Sequence, residues 1–361
     1  MLWVDKYRPV KLDDLSYHDT ISQRLSSLAS NPESMPHLFF YGPAGAGKKT
    51  RITALLGSLY GPGASRLKLD KRTFTTPTKR TVELNMITSN YHIEISPGDA
   101  GLNDRFVIQD VIKEMASNKN VGASATSSER KSGAATFKTV VLVEVDRLSR
   151  QAQAALRRTM EKYASTCRLI LVCNNQSKVI EPVRSRCLGI RVAAPTEDEI
   201  CKVLKSVSIN ESFMLPDELA INIARESSRN VRRAILMLEA CYVQKRGALT
   251  KDQPVQKTDW ELYINQLAVE ITREQTPQRL MAAREKLYEL LVNCIPANVI
   301  IKTLAKELMK NLDDSLKREV IEWAAFYEHR ISLGSKEIFH LEAFVAKFMA
   351  VYKKYLNDLF A

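Results

Sequence analysis

The chain has 361 residues, 45% of them hydrophobic, enough to fill two or three packed domains. No apolar run approaches the roughly 18 residues a membrane span needs, and no basic-then-apolar leader opens the chain, so a membrane-spanning or secreted protein is not expected. Lys and Arg number 53 against 41 Asp and Glu, a net charge of +12 that favours a polyanionic partner.

Leu38–Tyr41 reads as a short buried strand, apolar and partly aromatic. Directly after it stands Gly42-Pro43-Ala44-Gly45-Ala46-Gly47-Lys48-Lys49-Thr50. The glycines of such a loop let backbone N–H groups close around phosphates at a helix N-terminus. Lys48 then reaches the terminal phosphates. The next position normally gives Mg²⁺ a Ser or Thr hydroxyl. Here it is Lys49, a fixed cation near the seat of a dication. Thr50 comes one residue late and serves only if the helix start slips in register. A helix is expected over Arg51–Tyr60, and the strand–loop–helix context supports the motif. The expectation is a chain that binds nucleotide without hydrolysing it.

Further along, residues 66–80 hold six basic residues against one acid, Asp70, and read as a solvated strand face or partner surface. His92–Ile95 is the next expected strand. Residues 117–136, rich in Ser, Ala, Lys and Gly, read as a mobile surface loop. The strand Thr139–Val143 runs into Glu144-Val145-Asp146, where a P-loop ATPase keeps two acids, one for the metal and one for the attacking water. If Glu144 is the catalytic acid, Val143 replaces the metal-site Asp; if Glu144 serves the metal, Val145 replaces the catalytic acid. Either register loses one acid. Leu169–Cys173 is the last expected strand, so residues 1 to about 192 alternate as an α/β domain.

From Thr196 the periodicity turns helical. Glu197, Asp198 and Glu199 favour a helix start against the dipole. Pro216–Glu226 and Asn230–Gln244 follow, which makes a small helical domain. A polar connector with Pro254 separates it from long amphipathic helices at Thr258–Glu274, Thr276–Asn293, Ala297–Asn311, Asp314–Leu333 and Ser335–Leu356. Apolar stripes such as Leu280, Ala283, Leu287, Leu290 and Leu291 mark packing faces, within the domain or against partner subunits. No sustained heptad supports a coiled coil. The six cysteines form no Cys-x-x-Cys pair and no zinc spacing, and read as reduced thiols.

Several stretches resemble one family. Trp3-Val4-Asp5-Lys6-Tyr7-Arg8-Pro9 is similar to the N-terminal box of replication factor C small subunits, members of the eukaryotic AAA+ loader of sliding clamps. Gln153–Glu161 resembles their interface helix, and Ser185-Arg186-Cys187 their Ser-Arg-Cys signature. Asn174 falls where the family has sensor 1, and Asn230-Val231-Arg232-Arg233-Ala234 where it has sensor 2. Ile295–Asn298 and Arg330–His340 extend the likeness into the collar.

The resemblance implies an α/β P-loop AAA+ nucleotide-binding domain over 1–192, a small helical lid domain over 193–247 and an all-helical collar over 255–361. It sets Val143 at the metal Asp and Glu144 at an idle catalytic Glu. The Gly-Lys-Lys-Thr loop and defective acid strand resemble the subunit at one end of the open ring. On that likeness, Val4, Tyr7, Arg8 and Pro9 cover adenine and ribose. Gly42, Pro43, Gly45, Ala46, Gly47, Lys48, Lys49 and Thr50 form the phosphate cradle, with Asn174 and Arg232 facing the terminal phosphate. Arg186 would be an arginine finger acting on a neighbour's ATP, its planar fork suited to two phosphate oxygens. Arg157 or Arg158 would be a second trans cation. Arg105 and Lys113 would touch the phosphates of primer-template DNA. The implied cofactor is ADP or ATP, with ADP favoured and Mg²⁺ weak or absent. The implied partners are a large subunit, three small subunits and the sliding clamp, in the nucleus. A self-sufficient ATPase, or a DNA-binding scaffold with a structural nucleotide, are the competing expectations.

Overall fold

The computed structural model describes residues 1–75, 81–117, 137–245, 249–251, 253–310, 312–334 and 336–360. Of the expected loop over 117–136, residues 118–136 lie outside the described residues and Ser117 ends a helix; the end of the basic stretch at 76–80 also lies outside them. The chain divides into two compact units, Met1–Val255 and Gln256–Ala361.

The first unit is built on a seven-stranded sheet: β1 (His37–Tyr41), β2 (Lys68–Thr75), β3 (Thr81–Thr88), β4 (His92–Ile95), β5 (Lys138–Leu142), β6 (Cys167–Cys173) and β7 (Cys187–Arg191). The strands lie in the order β2-β3-β4-β5-β6-β1-β7. From β4 to β7 every pair is parallel, while β2 and β3 add an antiparallel hairpin beyond β4. β1 therefore sits inside the sheet, with Phe39 opposite Leu171 on β6 and Gly189 on β7.

Both faces of the parallel strands are covered, which is why they read as continuous apolar runs rather than alternating ones. Phe39, Val140, Leu142, Leu169 and Leu171 pack on one side, with α4 (Asp104–Ser117) and α5 (Arg150–Lys162). Leu38, Phe40, Val141, Ile170 and Val172 pack on the other, with α2 (Asp19–Ser30) and α3 (Lys48–Tyr60). The expected strands are present with small shifts. β5 starts and ends one residue earlier than expected, so Val143 lies just past the strand, although its N–H still donates to Ile95 O at 2.9 Å. The helix after the loop begins at Lys48, three residues earlier than expected. β2 falls within the basic stretch read as a solvated strand face or partner surface, whereas β3, edge strand β7 and the short helices α1 (Trp3–Lys6) and α6 (Glu181–Arg184) had not been anticipated.

The helical part of this unit holds α7 (Glu197–Asn210), α8 (Asp217–Glu226) and α9 (Val231–Gln244). Thr196 and Glu199 close a full capping box at the start of α7, satisfying two orphan donors. Helix α1 packs here: Trp3 is buried, stacks on Phe213 at 5.5 Å and donates its backbone N–H to Glu239 Oε2.

The second unit is entirely helical among the described residues: α10 (Asp259–Arg273), α11 (Pro277–Val292), α12 (Ala297–Met309), α13 (Asp314–Leu333) and α14 (Glu337–Phe360). Ala283, Leu287 and Leu290 are buried in its core beside Ile300, Leu304 and Phe344, while Leu280 and Leu291 flank it. No helix among the described residues is long and apolar enough to cross a membrane.

Candidate nucleotide-binding site

The loop between β1 and α3 turns on two left-handed glycines, Gly45 at φ 74° and Gly47 at φ 84°. At both, a side chain would also have no room. A Cβ at Gly45 would stand 1.7 Å from Asn230 Oδ1, and one at Gly47 would stand 2.4 Å from the Tyr17 hydroxyl. The cradle is thus enclosed by α9 on one side and by the Tyr17 segment on the other. Such a cradle at a helix N-terminus fits the phosphates of a nucleotide.

Lys48 is buried. Its ammonium donates to Gly42 O at 2.7 Å, Pro43 O at 2.8 Å and Asn174 Oδ1 at 2.8 Å. The structure thus joins the loop lysine to Asn174, expected as sensor 1. Burial pushes the Lys48 pKa down, and the nearby Arg232 cation pushes the same way, against Cys173 and Asp146. Arg232 itself lies exposed in the first turn of α9.

Behind the loop lies a cation that sequence reasoning missed. Arg51 is wholly buried. Its Nη2 donates to Tyr17 O at 2.7 Å and its Nη1 to Ala46 O at 3.3 Å, while the guanidinium stacks 4.6 Å from the Tyr17 ring. The Tyr17 hydroxyl also donates to Ala46 O, at 3.2 Å. An arginine in a helix reads from sequence as an exposed residue, and only its place beside Ile52, Leu55, Leu56 and Leu59 could have hinted at burial.

The metal half of the site is arranged differently. Lys49 forms an ion pair with Glu94 at the end of β4. Thr50 is half-buried in the first turn of α3. Glu144 adopts left-handed backbone at φ 56° and pairs with Arg147 at 2.9 Å. Asp146 Oδ2 accepts from the backbone N–H groups of Asn174 at 3.3 Å and Asn175 at 3.2 Å. Among the described residues, no group of three or more His, Cys, Asp or Glu comes together as a metal site.

Of the N-terminal box, Val4 and Tyr7 lie against the apolar core of α7, α8 and α9. The Tyr7 hydroxyl and the Lys6 ammonium both donate to Glu211 Oε1, at 2.6 and 2.7 Å. Arg8 pairs with Asp5 at 3.1 Å, and Pro9 is half-buried.

Arg186 lies apart from the cradle. Its Nε meets Glu161 Oε1 at 2.5 Å and its Nη1 donates to Pro182 O at 2.7 Å, which anchors the guanidinium between α5 and α6. The same arginine holds the Glu161 carboxyl below its ordinary pKa. Beside this pair opens a cleft of about 550 Å³ between α4 and α5, lined among others by Arg105, Arg157 and Arg158. The structure therefore brings together Arg157 and Arg158, one of which was expected to act on a neighbour, and Arg105, expected to meet DNA. Lys113 is exposed on α4 and is not among the cleft residues.

Comparisons with known proteins bear on the family of the chain. The family model for the C-terminal domain of replication factor C subunit 3 matches residues 260–356. The model for the RCF1/5-like AAA+ ATPase lid domain matches residues 202–243, and that for the delta subunit of DNA polymerase III matches residues 17–196. The chain is 52% identical to replication factor C subunit 3 of Homo sapiens, covering 99% of this chain and 98% of that one. It is 51% identical to replication factor C subunit 5 of Oryza sativa subsp. japonica over the whole of both chains. Identity to subunit 5 of Schizosaccharomyces pombe is 46%, with 98% and 97% covered. The likeness to a solved Thermotoga maritima RuvB chain, at 15% identity and a TM-score of 0.48 over 78% of this chain and 85% of that one, is too slight to carry weight.

Proposed function

The chain belongs to the replication factor C family, and from that membership and the geometry of its phosphate loop we propose that it is a nucleotide-holding, non-hydrolysing small subunit of a clamp loader. The AAA+ fold, nucleotide binding, a clamp-loader role in DNA replication and assembly with other subunits come with the family. The finer reading is that this subunit occupies one end of the ring, retains ADP more readily than ATP, and leaves its own nucleotide intact. In the same reading residues 1–192 hold the nucleotide, 193–247 are the lid and 255–361 the collar that meets the other subunits.

The observation that carries this reading is the engagement of the acids beside the loop. Glu144 is turned to Arg147, and Asp146 to the backbone of Asn174 and Asn175. On the family register Val143 would stand at the metal position and Lys49 would replace the hydroxyl, which leaves Asp146, with its Oδ2 engaged and its Oδ1 buried without a partner, as the carboxylate whose charge acts on Lys48. The phosphate-binding half depends on none of these groups. Backbone N–H groups, Lys48, Asn174 and Arg232 would hold the di- or triphosphate, and Val4, Tyr7, Arg8 and Pro9 would lie toward the base. A bound nucleotide would supply negative charge to a loop already surrounded by cations.

Arg186 is the group offered to a neighbouring subunit. Its anchors at Glu161 and Pro182 leave Nη2 outside these contacts, and its place beside the Arg105–Arg157–Arg158 cleft suits a surface facing phosphates. Arg105 and Lys113 are assigned to primer-template DNA, contacted through phosphate rather than base edges. The sliding clamp and a nuclear setting complete the proposal.

The test is purification of the full chain, mass spectrometry of the nucleotide it releases, and steady-state hydrolysis with Mg²⁺. Retained nucleotide without turnover is the expected result. Turnover that is abolished by Glu144→Gln would overturn the non-hydrolysing reading.

A further inference from the structure

The turn between α8 and α9 meets the phosphate loop directly. Two successive residues there, Ser228 at φ 53° and Arg229 at φ 63°, adopt left-handed backbone that side-chain-bearing residues enter at a cost. Such outliers persist where the surroundings over-determine them. Arg229 supplies one restraint: its Nε donates to Pro195 O and its Nη2 to Ala194 O, both at 2.8 Å.

Asn230 supplies the other. Its Oδ1 accepts from the Arg233 backbone N–H at 3.2 Å and so caps α9. The same amide lies so close over Gly45 that a Cβ there would be 2.2 Å from its Cγ. The next residue continues the contact, with the Val231 N–H donating to Gly45 O at 3.2 Å. Capping alone does not need asparagine, since serine or aspartate caps as well. The fit over Gly45 uses the amide beyond the capping atom.

We propose that Asn230 is a positioning residue for bound nucleotide: seated on Gly45, it fixes the first turn of α9, and Arg232 with it, on the phosphate loop. The loop then cannot open to release a di- or triphosphate without lifting the lid. This deepens the nucleotide reading above and rests on it.

The test is the release rate of a fluorescent ADP analogue from the full chain, chased with excess ADP. Asn230→Ser keeps a capping oxygen but is too short to cover Gly45. It should speed release several-fold, since the amide's packing over Gly45 is lost while the cap on α9 is kept. Binding by the wild type with release from Asn230→Ser unchanged overturns the latch alone. A wild-type chain that takes up no ADP overturns the nucleotide reading and the latch with it.

Discussion

Replacing Arg51 by methionine probes the support behind the phosphate loop. Arg51→Met keeps much of the volume and removes the charge. It deletes two hydrogen bonds from a charged donor, to Tyr17 O and Ala46 O, and the stacking on Tyr17. Bonds of this type contribute about 1.5–3 kcal/mol each, and the stacking adds about 1–2 kcal/mol. Against this, methionine avoids the several kcal/mol needed to strip water from a guanidinium. Ala46 O keeps the Tyr17 hydroxyl as a donor, so Tyr17 O is the carbonyl newly left without its Arg51 partner. The balance is a loss of about 2–3 kcal/mol. With a urea m-value of about 3 kcal/mol per M for a unit of this size, the midpoint should fall by about 0.7–1 M. The chain has three tryptophans, and Trp260 and Trp323 lie in the second unit. With those two changed to Phe, Trp3 fluorescence reports the first unit alone. Arg51→Lys should recover only part of the loss, since one ammonium cannot match the planar fork that reaches both carbonyls. A midpoint that stays within about 0.2 M of wild type, or rises, would show that desolvation of the buried cation outweighs its bonds, and the reasoning would fail.

Lys48→Ala removes the ammonium that joins the loop to Asn174, and calorimetry should find ADP affinity lowered by about 100-fold or more, as two lost charged hydrogen bonds imply. His37 is buried, accepts from the Leu169 N–H at Nδ1 and lies 3.2 Å from Met160 O at Nε2, so it is held neutral and its pKa is lowered, chiefly by burial. The unfolded chain therefore takes up a proton first. The stability from His37 is full above about pH 6.5 and is lost as pH falls toward the folded pKa. The Trp3-reported urea midpoint should drop between pH 7.5 and 5.5, and His37→Gln should flatten that slope. In a reconstituted complex, Arg186→Ala should leave nucleotide retention by this chain unchanged and slow the one neighbouring site it serves by about 10³-fold or more. Arg186→Lys should fail similarly, and an undiminished single-turnover burst would reduce Arg186 to the partner of Glu161.

The parts legible in the sequence are those where local chemistry dictates form. The loop glycines, the apolar strands β1, β5 and β6, the acid-rich start of α7 and the stripe of α11 each carry their own signal. β2 and β3 do not: Lys68, Lys71, Arg72 and Glu83 sit on an edge hairpin with little apolar alternation, and pairing rather than composition makes them strands. The departures at Lys49 and Val143, on which the non-hydrolysing proposal rests, were visible because they are residue identities. The partners of Lys49, Glu144 and Asp146 were not, since Glu94, Arg147 and the Asn174 backbone reach them through sheet order and turn geometry. Arg51 and the seat of Asn230 on Gly45 escaped for the same reason: each is a contact across many residues, invisible to spacing along one element.

On the proposed reading, a site that keeps its cradle and lacks its metal ligands separates two free energies. Affinity for a di- or triphosphate comes from loop N–H groups, Lys48 and the field of the buried Arg51, none of which needs a metal. Hydrolysis needs interactions that strengthen only in the transition state, and on the proposed reading those are the ones this subunit lacks. A nucleotide bound at 1,000 times its Kd would stabilise the folded chain by about 4 kcal/mol through linkage alone. That exceeds the estimated contribution of Arg51 and is large against the marginal stability of a domain. Since Asn230 and Val231 join the lid to Gly45, that stabilisation would reach both the sheet and α9. On the proposed reading, the nucleotide in this subunit acts as a tie between loop and lid, and the arginine on the opposite task, Arg186, can be spent on a neighbour without depending on turnover here.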